Sequence, residues 1–351
     1  MTPAAGAANR PLELDGTVWG GEVLLASLSS FDRVAHLELW PLPGGAASVR
    51  DPRRNAFALL KHYDLLDHPG AAPLLDTLQP DEKELASRMI ERGINCPLTS
   101  SMGRLLDAVS VILGICHSAT YEGEPAILLE AAARRFARHC GAASSSVTVA
   151  KSLNAQKSLS VPKSPSAPDG TTAQNSPGDP NGPTTPNGPG IPNGLTAPSD
   201  PGDPNGPAAQ NNPAAPKSPD TPRLPAAATG NEHLGKSLPP TATSISTKPL
   251  LLHILDGIVQ GANPEQLAWD AHHAIVEITA RTAVEISDST GVRTAALSGG
   301  VFMNRLFLEG ISAELEHAGL TVLTPRDLPC NDGGIAYGQA AVARAQLNGQ
   351  G

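Results

Sequence analysis

Leu297-Ser298-Gly299-Gly300-Val301-Phe302-Met303-Asn304-Arg305 is the stretch from which the fold can be read. Arg293 to Leu297 has the character of a short strand, and Phe302 to Ala318 has the spacing of a helix. A strand that turns through glycines into a helix lets backbone N–H groups come close to an anion. Glycine has no Cβ in the way, and the new helix turns its positive end to the same place. Further along, Leu320 to Thr324 reads as a strand and Gly333 to Leu347 as a helix, with Pro329-Cys330-Asn331-Asp332-Gly333-Gly334 leading into it. The two loops together predict a nucleotide held between them, with an acidic group close enough to hold a metal.

Upstream of this stretch, Leu250 to Val259 and Pro264 to Ser289 read as helices. The strand–helix–strand–helix order predicts an α/β lobe with a partly parallel sheet. Ligands in such lobes sit at the carboxyl ends of strands, where Ser298 and Asp332 fall. At the other end of the chain, Glu22 to Leu28 and Arg33 to Leu39 alternate as two strands around the Ser29-Ser30 turn. Pro52 opens a helix to about Leu66, and Asp81 to Arg92 forms a polar amphipathic one. Thr99-Ser100-Ser101 caps a helix with an apolar stripe of Leu105, Leu106, Val109 and Leu113. Glu124 to His139 is another, with Ile127, Leu128 and Ala131 expected on its buried side.

Between these folded flanks the composition breaks. No Phe, Trp or Tyr occurs between Phe136 and Trp269, and twenty of the 34 prolines lie from Pro162 to Pro240. Pro-Gly-Asp-Pro-Asn-Gly-Pro occurs at Pro177–Pro183 and again at Pro201–Pro207. Ordering a backbone costs roughly 1–2 kcal/mol per residue, and this segment has little apolar surface to offset it. Residues 142–249 are therefore predicted to be a disordered insertion between folded parts 12–141 and 250–347, with an unstructured 1–11 ahead of them.

Bulk properties narrow the function. The 351 residues carry a net charge of −9 with no run of Lys or Arg, which argues against nucleic-acid binding. No run of about 18 apolar residues exists to span a bilayer, and Met1 to Pro11 lacks the apolar core of a signal peptide. Cys96, Cys116, Cys140 and Cys330 show no CxxC spacing, which fits reduced thiols and a cytoplasmic protein. HExxH, GxSxG and GxxxxGK[ST] are absent, which removes zincin, nucleophile-elbow and P-loop readings.

Several residues invite a functional reading beside a structural one. Ser298, Gly299 and Gly300 form a phosphate loop or an ordinary tight turn. Asn304, one turn into the predicted helix, reaches back to a nucleotide or is a buried structural amide. Asp332 is an N-cap or a ligand-facing carboxylate. Asp107 lies on a solvated face or accepts a ribose hydroxyl. Glu122 and Gly123, in the break Tyr121-Glu122-Gly123, wrap a base or ribose. Gly20 and Gly21, in Asp15-Gly16-Thr17-Val18-Trp19-Gly20-Gly21-Glu22, form a second glycine turn or a hairpin. The adjacent His272 and His273 point in different directions on a helix and are read as structural.

Taken in order, the blocks Asp15–Glu22, Arg33–Leu37, Leu42–Gly45, Pro97–Ala108, Tyr121–Glu124, Ser298–Arg305 and Asn331–Gly338 resemble the C-terminal part of HypF-type carbamoyltransferases, the hydrogenase maturation factors. The resemblance implies an α/β, actin-like, two-lobed ATPase fold, with the first lobe truncated at its N-terminus. It implies transfer of a carbamoyl group from carbamoyl adenylate, made from ATP in a separate YrdC-like domain, to the C-terminal cysteine of a HypE-type partner. That cysteine then yields the cyanide ligand of the NiFe site. Carried over by position, Asp332 ligates zinc or iron and Asn304 contacts the nucleotide. Asp107 and Gly123 contact ribose and adenosine, and Gly20, Gly21, Gly299 and Gly300 line the phosphate. The resemblance assigns no nucleophile to this chain. The family's metal-binding histidine pair lies upstream of the matched blocks, so weak metal binding is expected; a split enzyme, with the YrdC-like half on a separate chain, and a truncated reading frame are both open. Two further readings stay open: a remnant that only docks its partner, and an ATP-dependent small-molecule kinase of the actin-like superfamily.

Overall fold

The computed structural model describes residues 15–28, 30–140 and 242–348. The expectations for an unstructured N-terminus and for most of the insertion fall outside these residues.

The N-terminal part opens with β1 (Glu22–Ala26) paired antiparallel to β2 (Phe31–Leu37), with a register irregularity at Val23/Leu24. β2 is the central strand and buries Val34, Ala35 and Leu37. Its other neighbour, β5 (Thr243–Ile245), runs parallel to it, with Ala35 opposite Thr243 and Leu37 opposite Ile245. The predicted insertion therefore ends too late at residue 249. Three residues are too few for a periodicity to show in the sequence, and this strand is fixed by pairing with β2, far away along the chain. Between them come β3 (Trp40–Pro41) and β4 (Leu98–Thr99), paired antiparallel.

Helices form where caps and apolar spacing direct them. The short α1 (Ala46–Arg50) precedes α2 (Pro52–His62), which has Asp51 as N-cap, accepting from Arg53 N–H, and proline at its first position. After α3 (Ala72–Leu75), α4 (Pro80–Arg92) ends at Gly93 in the left-handed region, φ 63°. Ser101 caps α5 (Met102–Ile112), which is buried at every residue but Gly103. It packs against α2 and α6 (Glu124–Cys140), and α6 in turn lies along the long α8 (Pro264–Thr290). α7 (Lys248–Val259) turns into α8 through Asn263, which caps it. Trp40, Leu59, Leu105, Leu106, Leu129, Leu251, Ile254 and Phe307 belong to one continuous core. Each such side chain contributes roughly 1.5–3 kcal/mol by leaving water.

The buried stripe of α6 differs from the predicted one. Leu129, Ala132 and Ala133 face the core, whereas Ile127 and Leu128 are exposed. Both sets have helical spacing, and the choice between them is made by α8, which covers only one face. Ile127 instead borders the cleft described below.

In the C-terminal part β6 (Thr294–Ala296) and β7 (Thr321–Leu323) pair in parallel, joined by α9 (Arg305–His317), which packs on α8. The predicted helix from Phe302 starts later. Gly300–Met303 is one turn of 3-10 helix, and Asn304 has extended φ/ψ as the N-cap of α9. A second 3-10 turn, Asp332–Gly334, leads into α10 (Ile335–Leu347), of which only Ala345 is buried.

Candidate functional site

A cavity of about 2190 Å³ opens between these elements. Gly20, Gly21, Arg104, Leu106, Glu122, Gly123, Ile127 and Glu130 line it from the N-terminal part and α6. Ser298, Gly299, Gly300, Asn304, Asn331, Asp332 and the α10 residues Gly338, Gln339 and Val342 complete the wall. The glycine loop near residue 300 and the helix carrying Asp107 therefore border one cleft. Nine of the ten sequence-predicted site residues lie in its wall; Asp107 does not.

The 298–304 turn is built for an open backbone. Gly299 has φ 106°, a conformation that side chains with a Cβ rarely adopt, and nothing lies within 4 Å of where that Cβ would be. Its N–H donates to Cys330 O at 2.8 Å, which ties the two C-terminal loops together. The positive end of α9, however, is already satisfied. Asn304 Oδ1 accepts from Leu306 N–H (3.0 Å) and Phe307 N–H (3.3 Å), and Glu130 Oε1 accepts from Arg305 N–H (3.2 Å). The expectation that a helix start at Gly300 faces the anion is corrected accordingly: the loop borders the cleft, and the helix end is capped from within.

Asn304 is likewise more constrained than expected. It is buried, and its Nδ2 donates to His272 Nε2 at 2.9 Å. One N–H of its side-chain amide is left for a ligand. No sequence signal connected His272 with this loop, because the two are joined only by the packing of α8 against α9.

Asp107 is 2% exposed, which corrects the solvated-face reading. Arg104 Nη1 stands 2.9 Å from its Oδ2, an i,i+3 pair on α5 that was available in the sequence and missed. Oδ1 has no hydrogen-bond partner among the described residues, and neither has Ser110 Oγ one turn on. Burial pushes the Asp107 carboxyl up to about 6; Arg104 pulls it down, Glu122 raises it further, and the backbone N–H of Ala126 lowers it. Gly123 has φ 83° and open space where a Cβ would be.

Gly20 and Gly21 serve packing before they serve any ligand. A Cβ on Gly21 would lie 2.5 Å from Ser100 O, and one on Gly20 would lie 2.9 Å from Ser101 Oγ. Gly20 N–H already donates to Glu22 Oε2 at 2.6 Å. Glu22, absent from the predicted set, also accepts from Ser100 Oγ–H and from Arg33 Nη2 at 3.3 Å. Burial raises its carboxyl, against the hydrogen bonds and the Arg33 charge that lower it. Arg33 in turn lies 4.3 Å over the Trp19 ring and 2.9 Å from Asp15 Oδ2. Gly20 and Gly21 therefore border the cleft within a turn braced by close packing.

Asp332 is exposed, and Asn331 rather than Asp332 caps its turn, accepting from Gly333 N–H at 3.1 Å. Gly333 and Gly334 fit closely over Pro329, where a Cβ would come within 2.7 and 2.8 Å of its atoms. Among the described residues no group of three His, Cys, Asp or Glu side chains could hold a metal. A zinc or iron site needs about three protein ligands, so the residues present do not fit the metal that the sequence resemblance implies.

The family model for the second subdomain of the carbamoyltransferase Kae1-like domain matches residues 12–162 and 221–339. The chain belongs to the HypF carbamoyltransferase family. It is 30% identical to carbamoyltransferase HypF2 of Cupriavidus necator over 94% of its own length and 32% of that protein's. It is 26% identical to a probable carbamoyltransferase HypF of Methanocaldococcus jannaschii, over 96% of this chain and 32% of the relative. A shorter HypF homologue of C. necator, 28% identical, is covered over 63% of its length. The chain thus spans about a third of most full-length HypF relatives. Among solved structures, full-length HypF in the phosphate- and nucleotide-bound form superposes with TM-score 0.63 at 23% identity, over 96% of this chain and 32% of that one. HypF of T. kodakarensis gives 0.59 at 25% identity, over 96% and 33%. The α/β architecture described above is therefore that of the HypF structures. No helix among the described residues is long and apolar enough to cross a membrane.

Proposed function

We propose that this chain forms the nucleotide-facing part of a carbamoyl-transfer centre for NiFe-hydrogenase maturation, in an actin-like, two-lobed setting and in the cytoplasm. The observation that carries the reading is the shared cleft. The 298–300 turn, with its Gly299 N–H already given to Cys330 O, borders the same volume as the Glu122-Gly123 turn and the wall behind which Asp107 lies with its Oδ1 unpartnered among the described residues. In this reading the AMP moiety of carbamoyl adenylate lies along the cleft. Its phosphate faces the loop at Gly299 and Gly300, where the Gly300 N–H is the amide offered, and its ribose lies at the Arg104 and Leu106 wall in front of Asp107. Gly123 lets the adenosine approach without a side chain in the way.

The attacking thiolate belongs to the C-terminal cysteine of a HypE-type partner. Its sulfur bonds to the carbamoyl carbon, the C–O bond to phosphate breaks, and AMP leaves with the electron pair; the thiol proton goes to solvent. Donors fixed toward the phosphate stabilise the charge that develops there. No step is assigned to a metal, because Asp332 stands without the companions a metal needs among the described residues. The adenylate would be supplied by a YrdC-like half.

Calorimetric titration with AMP and ATP tests the reading, on the chain alone and with the upstream half of a HypF relative added. Saturable binding lost on Asp107→Ala is expected. Absence of binding in both settings would overturn it.

A further inference from the structure

We infer that His272 is a positioning residue of the cleft: as a neutral imidazole protonated on Nδ1, it sets the side-chain amide of Asn304 and through it the 298–304 turn. His272 lies in the first third of α8 and is 1% exposed. Its Nδ1 is 2.8 Å from Ala268 O. A carbonyl oxygen only accepts, so Nδ1 carries the proton and Nε2 presents a lone pair. Asn304 Nδ2 lies 2.9 Å from that lone pair. The opposite end of the amide, Oδ1, then faces Leu306 and Phe307 N–H.

The imidazole therefore decides which way the amide points. With the amide turned over, Oδ1 would meet the Nε2 lone pair, and Nδ2 would meet the two N–H groups it should cap. Both sets of contacts would become repulsive at once. The imidazole ring is itself held, stacked on Phe307 with centroids 4.8 Å apart and planes at 24°. Its neighbour His273 cannot take over, since its Nδ1 pairs with Trp269 O and its ring packs on the Trp269 indole. Asn304 closes the 3-10 turn through its backbone, donating to Val301 O at 3.0 Å, so fixing its side chain fixes the turn that begins at Gly299.

The role in ligand binding rests on the nucleotide reading above, whereas the geometry of the turn does not. Two variants of the full chain separate the possibilities. His272→Gln places an acceptor near the former Nε2 and keeps the contact; His272→Phe fills the space and removes it. Hydrogen exchange at Leu306 and Phe307 without nucleotide is expected to quicken about fivefold or more in His272→Phe, as for a lost N-cap, and to stay near wild type in His272→Gln. Selectively labelled histidine in the wild-type chain should show the ¹⁵N shifts of a Nδ1–H imidazole. AMP affinity should fall with the exchange in His272→Phe and recover in His272→Gln. Equal exchange in the two variants, or a Nε2–H tautomer in the wild type, would overturn the inference. Wild-type protein that binds no AMP, while the exchange pattern holds, would sink the nucleotide reading and leave the positioning role standing.

Discussion

Replacing Asp107 with Asn isolates the cost of keeping a charge under the cleft. The carboxyl is buried, and its titration is displaced upward from 3.8 to about 6, burial outweighing the help of Arg104. The sign follows from proton binding. Between those two values the folded chain holds a proton that the unfolded chain has released, so wild-type stability falls as pH rises through the folded value. By pH 8 an ionised Asp107 costs about 3 kcal/mol relative to its protonated form, of which about 1.4 kcal/mol accrues between pH 5 and pH 8. Asn cannot ionise and escapes this cost. It also leaves Arg104 without its 2.9 Å partner, but arginine keeps its charge throughout this range, so that penalty is constant with pH. Urea denaturation of both proteins at pH 5, 6, 7 and 8 separates the two effects. The free-energy gap should move in favour of the Asn variant by about 1.4 kcal/mol from pH 5 to pH 8, whatever its starting value. A gap that stays constant across the series would mean that Asp107 titrates as an ordinary carboxylate, and the argument from burial would be wrong.

Three shorter tests bear on other parts of the structure. Gly21→Ala drives a Cβ to 2.5 Å from the Ser100 carbonyl and should destabilise the chain by about 1–3 kcal/mol, as overpacking does; an unchanged denaturation midpoint would refute the tight fit. Zinc or iron added to the purified chain should bind weakly and without fixed stoichiometry, because Asp332 lacks companion ligands among the described residues. Tight metal lost on Asp332→Ala, read by atomic absorption after dialysis, would contradict this. Deleting residues 145–240, with Thr243–Ile245 retained, should leave the melting temperature nearly unchanged, and a fall of many degrees would show that the segment packs on the fold.

Local signals made much of the fold legible. Proline and Asp51 at the start of α2, Ser101 before α5, Asn263 before α8 and the apolar spacing of each helix are short-range features, and they place these elements to within a few residues. What the sequence did not show was set by distant partners. β5 is a strand because β2 offers an edge, and α6 buries Leu129 rather than Ile127 because α8 lies on that side. The cleft follows the same division. Its glycine turns stand out in the sequence, but a glycine is wanted both where a ligand approaches and where another segment packs. Gly299 and Gly123 face open space, whereas Gly21 and Gly334 abut backbone. Letters alone do not separate these cases. His272 was read as structural since nothing along the chain links it to Asn304.

Two buried titrating groups behind the cleft, His272 and Asp107, also bear on each other through pH, which makes one of them hard to see without the other. Burial lowers His272 to about 4 from 6.5, so the unfolded chain takes up a proton that the folded chain refuses, and stability is lost as pH falls from 6.5 toward 4. Asp107 works in the opposite sense over nearly the same window. Near pH 5 each contributes a slope of about 1.2 kcal/mol per pH unit, one rising and one falling, and the two nearly cancel. A wild-type stability curve that is flat there is therefore no sign that buried ionisation is absent. Asp107→Asn should uncover a rise in stability with pH, and His272→Gln a fall, each measured as variant minus wild type so that the other carboxylates drop out. If both differences are flat between pH 4.5 and 6, neither group is as desolvated as its surroundings imply. The polar wall under the cleft would then have to be far more open to water than a 2%-exposed carboxylate and a 1%-exposed imidazole allow.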